Sequence, residues 1–117
     1  LKRLFSATTN SLRGIIDGFK TEPALRDEVV LLAVAVPLGF VLAPNAVWYI
    51  AMISAILIVL GVEFLNTAVE KLADHVTREQ HAEIRRIKDF GSAAVFCGLC
   101  LAGLVWIAAI AARFGLI

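Results

Sequence analysis

Glu63 stands where a charge is expensive. The run Ala46 to Val62, 17 uncharged residues, precedes it, and Phe64 and Leu65 follow. A carboxylate carried that far into an apolar run lies within a membrane or at its inner boundary. At a bilayer centre it costs at least about 2.5 kcal/mol, so such groups face a protein interior or a polar cavity. Asn66, Glu70 and Asp74 follow at i+3, i+7 and i+11. At about 100° per residue all three return to the face of Glu63. One helix face thus carries three carboxylates and an amide as it leaves the membrane. Carboxylate oxygens at that level suit hard divalent cations, and Mg²⁺ takes one or two of them with water and phosphate oxygens. A neighbouring carboxylate can accept the proton of a hydroxyl. A seam of interhelical hydrogen bonds is the other use of such a stripe.

Cations come next. Arg85, Arg86 and Lys88 precede Asp89 and Ser92. Opposite a metal-binding stripe they could hold polyphosphate; as anchors they would simply keep this end on the cytoplasmic side. Neither G-x-x-x-x-G-K-(S/T) nor G-x-G-x-x-G occurs, so side chains and metal would have to do the work of a glycine-rich phosphate loop. Glu22 and Glu28 flank the start of the first apolar segment. Cys97 and Cys100 form a C-x-x-C within an apolar run, with no second pair and no flanking His, and read as small packing residues. His75 and His81 read as solvated loop residues, and Gly14-x-x-x-Gly18 lies on an amphipathic segment, where it is a weak dimer signal.

The elements that position these groups follow from composition. Of 117 residues, 60% are apolar and 18% charged, and mean hydropathy is +0.85. Water-soluble domains run near 45–50% apolar and about 25% charged. Disorder, a disulfide scaffold and a soluble globule are excluded, and a net charge of +1 gives no case for a nucleic-acid partner. The run Gly91 to Ala112, 22 residues, spans roughly 33 Å as a helix, enough for a ~30 Å hydrocarbon core. Val29 to Val62 is also uncharged and is broken by Pro44-Asn45, a turn pair. The expected spans are 24–43, tilted or kinked at Pro37, then 46–71 and 91–113. Residues 1–20 place Leu1, Leu4, Phe5, Leu12, Ile15, Ile16 and Phe19 on one face and read as an interfacial amphipathic helix. Trp48 and Tyr49 suit an interfacial aromatic belt. Lys and Arg gather in the N-terminal segment and in the 72–90 connection, read as a loop. Both are therefore expected in the cytoplasm, with the hairpin and C-terminus on the far side. No cleavable signal is expected, since the apolar span begins late and no small-residue cleavage site follows it.

These residues resemble one family. Val62-Glu63-Phe64-Leu65-Asn66-Thr67-Ala68-Val69-Glu70 is similar to the V-E-x-x-N-(S/T)-A-(I/V)-E signature of the small prokaryotic diacylglycerol kinases. Lys88-Asp89-Phe90-Gly91-Ser92-Ala93-Ala94-Val95 resembles their K-D-x-G-S-A-A-V motif, and Arg3, Ser11, Gly14, Glu22, Arg26 and Glu28 fit their N-terminal frame. The resemblance implies an all-α membrane protein: a homotrimer with three transmembrane helices and an N-terminal amphipathic surface helix per chain, and active sites between subunits. It implies transfer of the γ-phosphate of MgATP to diacylglycerol in the bacterial inner membrane. By the same resemblance Glu63 would be the general base and Asn66 would order the lipid site. Glu22 and Glu70 would hold Mg²⁺ on ATP, and Lys88 and Asp89 would contact phosphate and nucleotide. Arg3 and Ser11 would lie near the lipid head group, and Glu28 matches a further acidic position. Leu12 stands where the family's S-W-(K/R)-G has an aromatic. Undecaprenol kinase, whose branch tends towards A-A-G-A-V, is the alternative of the same chemistry. An oligomeric ion or proton pathway lined by Glu63 and Asn66 is the alternative of another class, and such a pore would not need the cluster at 85–92.

Overall fold

The computed structural model describes residues 1–79 and 81–117, and every residue of regular structure among them is helical. The order is α1 (Lys2–Thr21), α2 (Pro23–Leu42), α3 (Ala46–Val76) and α4 (Ala82–Arg113). Helix α3 is the central element, packed most extensively against α4 and next against α2, while α1 meets α2.

One residue separates α1 from α2. Glu22 is extended, with φ −119° and ψ 108°, and Pro23 opens the next helix. A proline is tolerated there because the first helical N–H groups lack partners in any case. Arg26 reaches back from α2 and donates through Nε to the carbonyl of Phe19 at 3.1 Å and through Nη2 to that of Lys20 at 3.3 Å. The last carbonyls of α1 thus gain a cationic cap. Gly18 is the point of closest approach: a Cβ there would lie 2.7 Å from Leu25 Cδ1 and 3.0 Å from Phe64 Cε1. The missing side chain is what lets α1 dock on both neighbours.

The second turn is the expected Pro44-Asn45 hairpin. Asn45 caps α3, its Oδ1 accepting from the backbone N–H of Trp48 at 3.0 Å. Tyr49 donates its hydroxyl to the Val36 carbonyl at 2.8 Å, and its ring meets Phe40 edge-on at 5.8 Å. Further along, Trp106 Nε1 donates to the Met52 carbonyl at 3.0 Å and ties α4 to α3. The core is thin: Ala35, Ala55, Ile56, Val59 and Ala102, with Leu32, Ile53, Val105 and Trp106 against it. Small residues at helix contacts let backbones approach, which is how helices pack when lipid offers no hydrophobic drive. Phe40, Val47, Leu65, Leu104 and Ile107 point outward, an arrangement suited to lipid or further protein rather than water.

Among the described residues, the helices long and apolar enough to cross a membrane are α3 and α4. Helix α2 carries Arg26, Asp27 and Glu28 near its start and Pro37 inside it, and the helix continues through that proline.

The 72–90 connection is a correction to the sequence reading. It is not a loop: α3 runs on to Val76 and α4 already begins at Ala82, so the two helices take up all of it but residues 77–81. His75 lies in the last turn of α3, and Arg85, Arg86, Lys88 and Asp89 lie in the opening turns of α4. Hydropathy falls where a helix leaves lipid, but Leu72, Ala73 and Glu83 to Lys88 favour helix, and neither Gly nor Pro occurs between Val62 and Phe90. His81 stays in the turn; Gln80 lies outside the described residues.

Candidate active site

Three layers of polar groups follow one another along α3. The deepest is Glu63, 9% exposed and the one buried charged residue among those described. Glu28 of α2 lies within electrostatic range of it, and Glu28 Oε2 is buried without a hydrogen-bond partner. A buried carboxylate oxygen without a partner needs a proton or an outside donor to be satisfied.

The middle layer joins α3 to α4 and to the α1–α2 joint. Asn66 donates through Nδ2 to Glu70 Oε1 at 3.3 Å. Its Oδ1 is buried, unpartnered, and pressed against the backbone of Gly91, where any Cβ would collide with it. Gly91 is therefore the residue that sequence reasoning quoted within a motif without giving it a task. Its signal was a glycine in the first turns of an apolar run, where close backbone approach is the usual reason for one. On the other side, Lys71 forms an ion pair with Glu22 at the α1–α2 joint. A cleft of about 210 Å³ lies there, lined in part by Asp17, Thr21, Glu22, Thr67 and Lys71.

The outer layer is the most exposed and the most charged. Lys88 Nζ donates to Asp74 Oδ1 at 2.8 Å, bridging α3 and α4. The hydrogen bond and charge of Lys88 hold the Asp74 carboxyl below the ordinary aspartate range. Asp89 lines a polar cleft of about 250 Å³ with Asp74, Arg78, His81, Arg85 and Lys88. Arg78 and His81 were not among the sequence-derived site residues; both line this cleft from between α3 and α4.

Ser11 is elsewhere. Its hydroxyl donates to the Ala7 carbonyl at 2.8 Å, and it borders an apolar groove of about 400 Å³ with Gly14, Ile15, Leu57, Gly61 and Phe64. By helical phase this groove lies about 110° around α3 from the carboxylate stripe. Arg3, exposed in the first turn of α1, is roughly 12 Å further along that helix. The chain therefore gathers Glu63, Asn66, Glu70, Glu22 and Lys88 along α3, with Asp89 beside Lys88. It leaves Arg3 and Ser11 on a different face.

Glu22 and Glu70 each offer carboxylate oxygens of the kind that suits a hard divalent cation such as Mg²⁺. Glu22 already holds a cation in the form of the Lys71 ammonium. Glu70 is exposed, and one of its oxygens takes only a long amide bond. No group of three or more His, Cys, Asp or Glu converges among the described residues. Two carboxylates with the remaining positions left to water and phosphate are the usual Mg²⁺ arrangement.

An all-helical arrangement with two long apolar helices, outward-facing apolar surfaces, a buried carboxylate and a layered acidic and basic cluster at one end of the bundle is that of an all-α membrane protein. The comparisons make this specific. The family profile for prokaryotic diacylglycerol kinase matches residues 9–110. A diacylglycerol kinase of Haemophilus influenzae is 42% identical over 106 residues, 91% of this chain and 90% of its own length. That of Pseudomonas aeruginosa is 39% identical over 106 residues, covering 91% and 86%. That of Escherichia coli is 33% identical over 113 residues, covering 97% and 93%. The chain belongs to the prokaryotic diacylglycerol kinase family.

Proposed function

We propose that this chain transfers the γ-phosphate of MgATP to the free hydroxyl of diacylglycerol, giving phosphatidic acid and ADP. The observation that carries this reading is the buried Glu63 carboxylate, two helical turns below a charged cytoplasmic cluster on the same helix face. Phosphoryl transfer asks chiefly for positioning and charge neutralisation. A carboxylate at the membrane boundary is where a lipid hydroxyl and a cytosolic nucleotide can meet.

Glu63 accepts the hydroxyl proton as the lipid oxygen bonds to the γ-phosphorus and the bond to the ADP oxygen breaks. Its burial keeps water from competing as the acceptor. Asn66 orients Glu70 through its amide and shares the lipid side of the site. Glu22 and Glu70 would hold Mg²⁺, which supplies positive charge to the polyphosphate. Lys88, steadied by Asp74, and Asp89 contact phosphate and nucleotide in the outer cleft. Ser11 and Arg3 lie along the lipid head group, and the groove beside Ser11 takes apolar chain.

The groove and the stripe face different ways on α3, which supports a homotrimer whose sites are shared between subunits. A second copy can bring a lipid held in its groove to Glu63 of its neighbour. Residues 1–117 then form one kinase domain with three membrane helices, α2, α3 and α4, in the bacterial inner membrane. The Lys and Arg residues of α1 and of the 72–90 segment, Arg78, Arg85, Arg86 and Lys88, support a cytoplasmic position for both, with the C-terminus periplasmic.

The test is ATP-dependent labelling of lipid in detergent micelles, with diacylglycerol and undecaprenol side by side. Labelled phosphatidic acid is the expected product. Label on undecaprenol alone moves the acceptor to the related branch. Label on neither leaves the ion-pathway reading.

A further inference from the structure

Lys71 is the one cation in contact with the carboxylates of the middle layer that the reading above leaves without work. Its ammonium pairs with Glu22 across the α1–α2 joint, and it also lies within electrostatic range of Glu70 and Asp74. It borders two clefts. One is the joint cleft that holds Glu22; the other, of about 330 Å³, is polar and shared with Asp74, His75 and Arg78. Glu22 is the half-buried partner and Lys71 the exposed one, at 26% and 65% side-chain exposure. The lysine stem can therefore move while the carboxylate, at the one-residue break between α1 and α2, stays.

We propose that Lys71 is a built-in counter-cation that occupies Glu22 until a divalent metal takes its place. A divalent cation that takes Glu22 Oε1, the oxygen Lys71 holds, displaces the ammonium from it, so metal entry at that oxygen breaks the Lys71–Glu22 pair. The freed ammonium can turn into the neighbouring polar cleft towards Asp74, which it would share with Lys88. In the absence of metal the pair fixes the α1–α2 joint against α3 and spares Glu22 an uncompensated charge beside the apolar Leu25 and Phe64. This rests on the assignment of Glu22 and Glu70 to the metal. It adds to that assignment a competitor supplied by the chain itself, which sets how much metal the site requires.

Direct binding of Mn²⁺, read from loss of the electron paramagnetic resonance signal of the free ion, tests this on the full chain in micelles without nucleotide. Lys71→Met should tighten Mn²⁺ binding by about two- to fivefold, the range of an exposed ion pair. Lys71→Arg, which keeps the pair, should bind as wild type. Arg78→Gln, which removes a charge two turns away without touching Glu22, should change affinity less than Lys71→Met. In a Glu22→Gln background, Lys71→Met should have no effect. Equal tightening in Lys71→Met and Arg78→Gln, or none in Lys71→Met while Glu22→Gln weakens Mn²⁺, overturns the role of Lys71 and leaves the metal assignment standing. Unchanged Mn²⁺ affinity in Glu22→Gln, or no Mn²⁺ bound by wild type and Lys71→Met alike, overturns the metal assignment and this inference with it.

Discussion

The side chain of Asn66 occupies the space that a Cβ on Gly91 would need. One residue belongs to the acidic stripe of α3 and the other to the opening turns of α4. Their contact locks the helix that carries Glu63 and Glu70 to the helix that carries Lys88 and Asp89. The spacing between Glu63 and the Lys88–Asp89 pair therefore depends on a glycine.

Gly91→Ala should displace Asn66 from Glu70 and cost about 1–3 kcal/mol of stability, as overpacking does. Gly98→Ala is the control. Its Cβ would lie 3.6 Å from Val59 Cγ2, an ordinary contact, and should be tolerated. Thermal unfolding in detergent with turnover measured on both variants checks this; equal loss in the two would refute the account of Gly91.

Glu63→Gln should lower turnover by about 10²–10⁴-fold, the usual contribution of a general base, while the protein still inserts and assembles. Gln keeps size and hydrogen bonding but accepts no proton. A variant that retains more than a tenth of the wild-type rate with an intact oligomer would show that the base is another group.

Glu70 lies about 10.5 Å along α3 from Glu63, too far for both to act on one proton. Glu70→Gln should weaken Mg²⁺-dependent nucleotide binding, with partial rescue by excess Mg²⁺. Glu63→Gln should leave that affinity nearly unchanged, because a proton acceptor contributes in the transition state. Nucleotide titrations at several Mg²⁺ concentrations decide the matter. Equal losses would mean that the two roles are wrongly divided.

The Asp74–Lys88 pair makes a pH prediction. Lys88 depresses the folded carboxyl, so the pair's contribution is fully present above the ordinary aspartate range. It is lost as pH falls through that range and on to the lowered folded value. Asp74→Asn should remove this acid-side slope and leave stability unaltered below the window relative to wild type. Melting temperature against pH for the two proteins is the measurement, with a small difference expected because the pair is exposed.

Cys97 and Cys100 are both free and exposed on α4, away from the three polar layers. Cys97→Ala combined with Cys100→Ala should keep full turnover. A folded but inactive double variant would assign the thiols a task.

The apolar runs, the amphipathic face of α1, the Pro44-Asn45 turn and the stripe from Glu63 to Asp74 were legible in the sequence. Each is a local pattern, and helical period alone puts its residues on one face. The extent of α3 and α4 was not, because charge marks where a helix leaves lipid and not where it stops. Tertiary structure alone decided the rest. Glu22 meets Lys71, Asp74 meets Lys88 and Asn66 meets Gly91 across helix interfaces, and no periodicity within one helix specifies a partner on another. The groove beside Ser11 turns away from Glu63 for the same reason: α1 docks where Gly18 lets it approach Leu25 and Phe64, and that packing, not the order of residues, sets which face of α3 it covers.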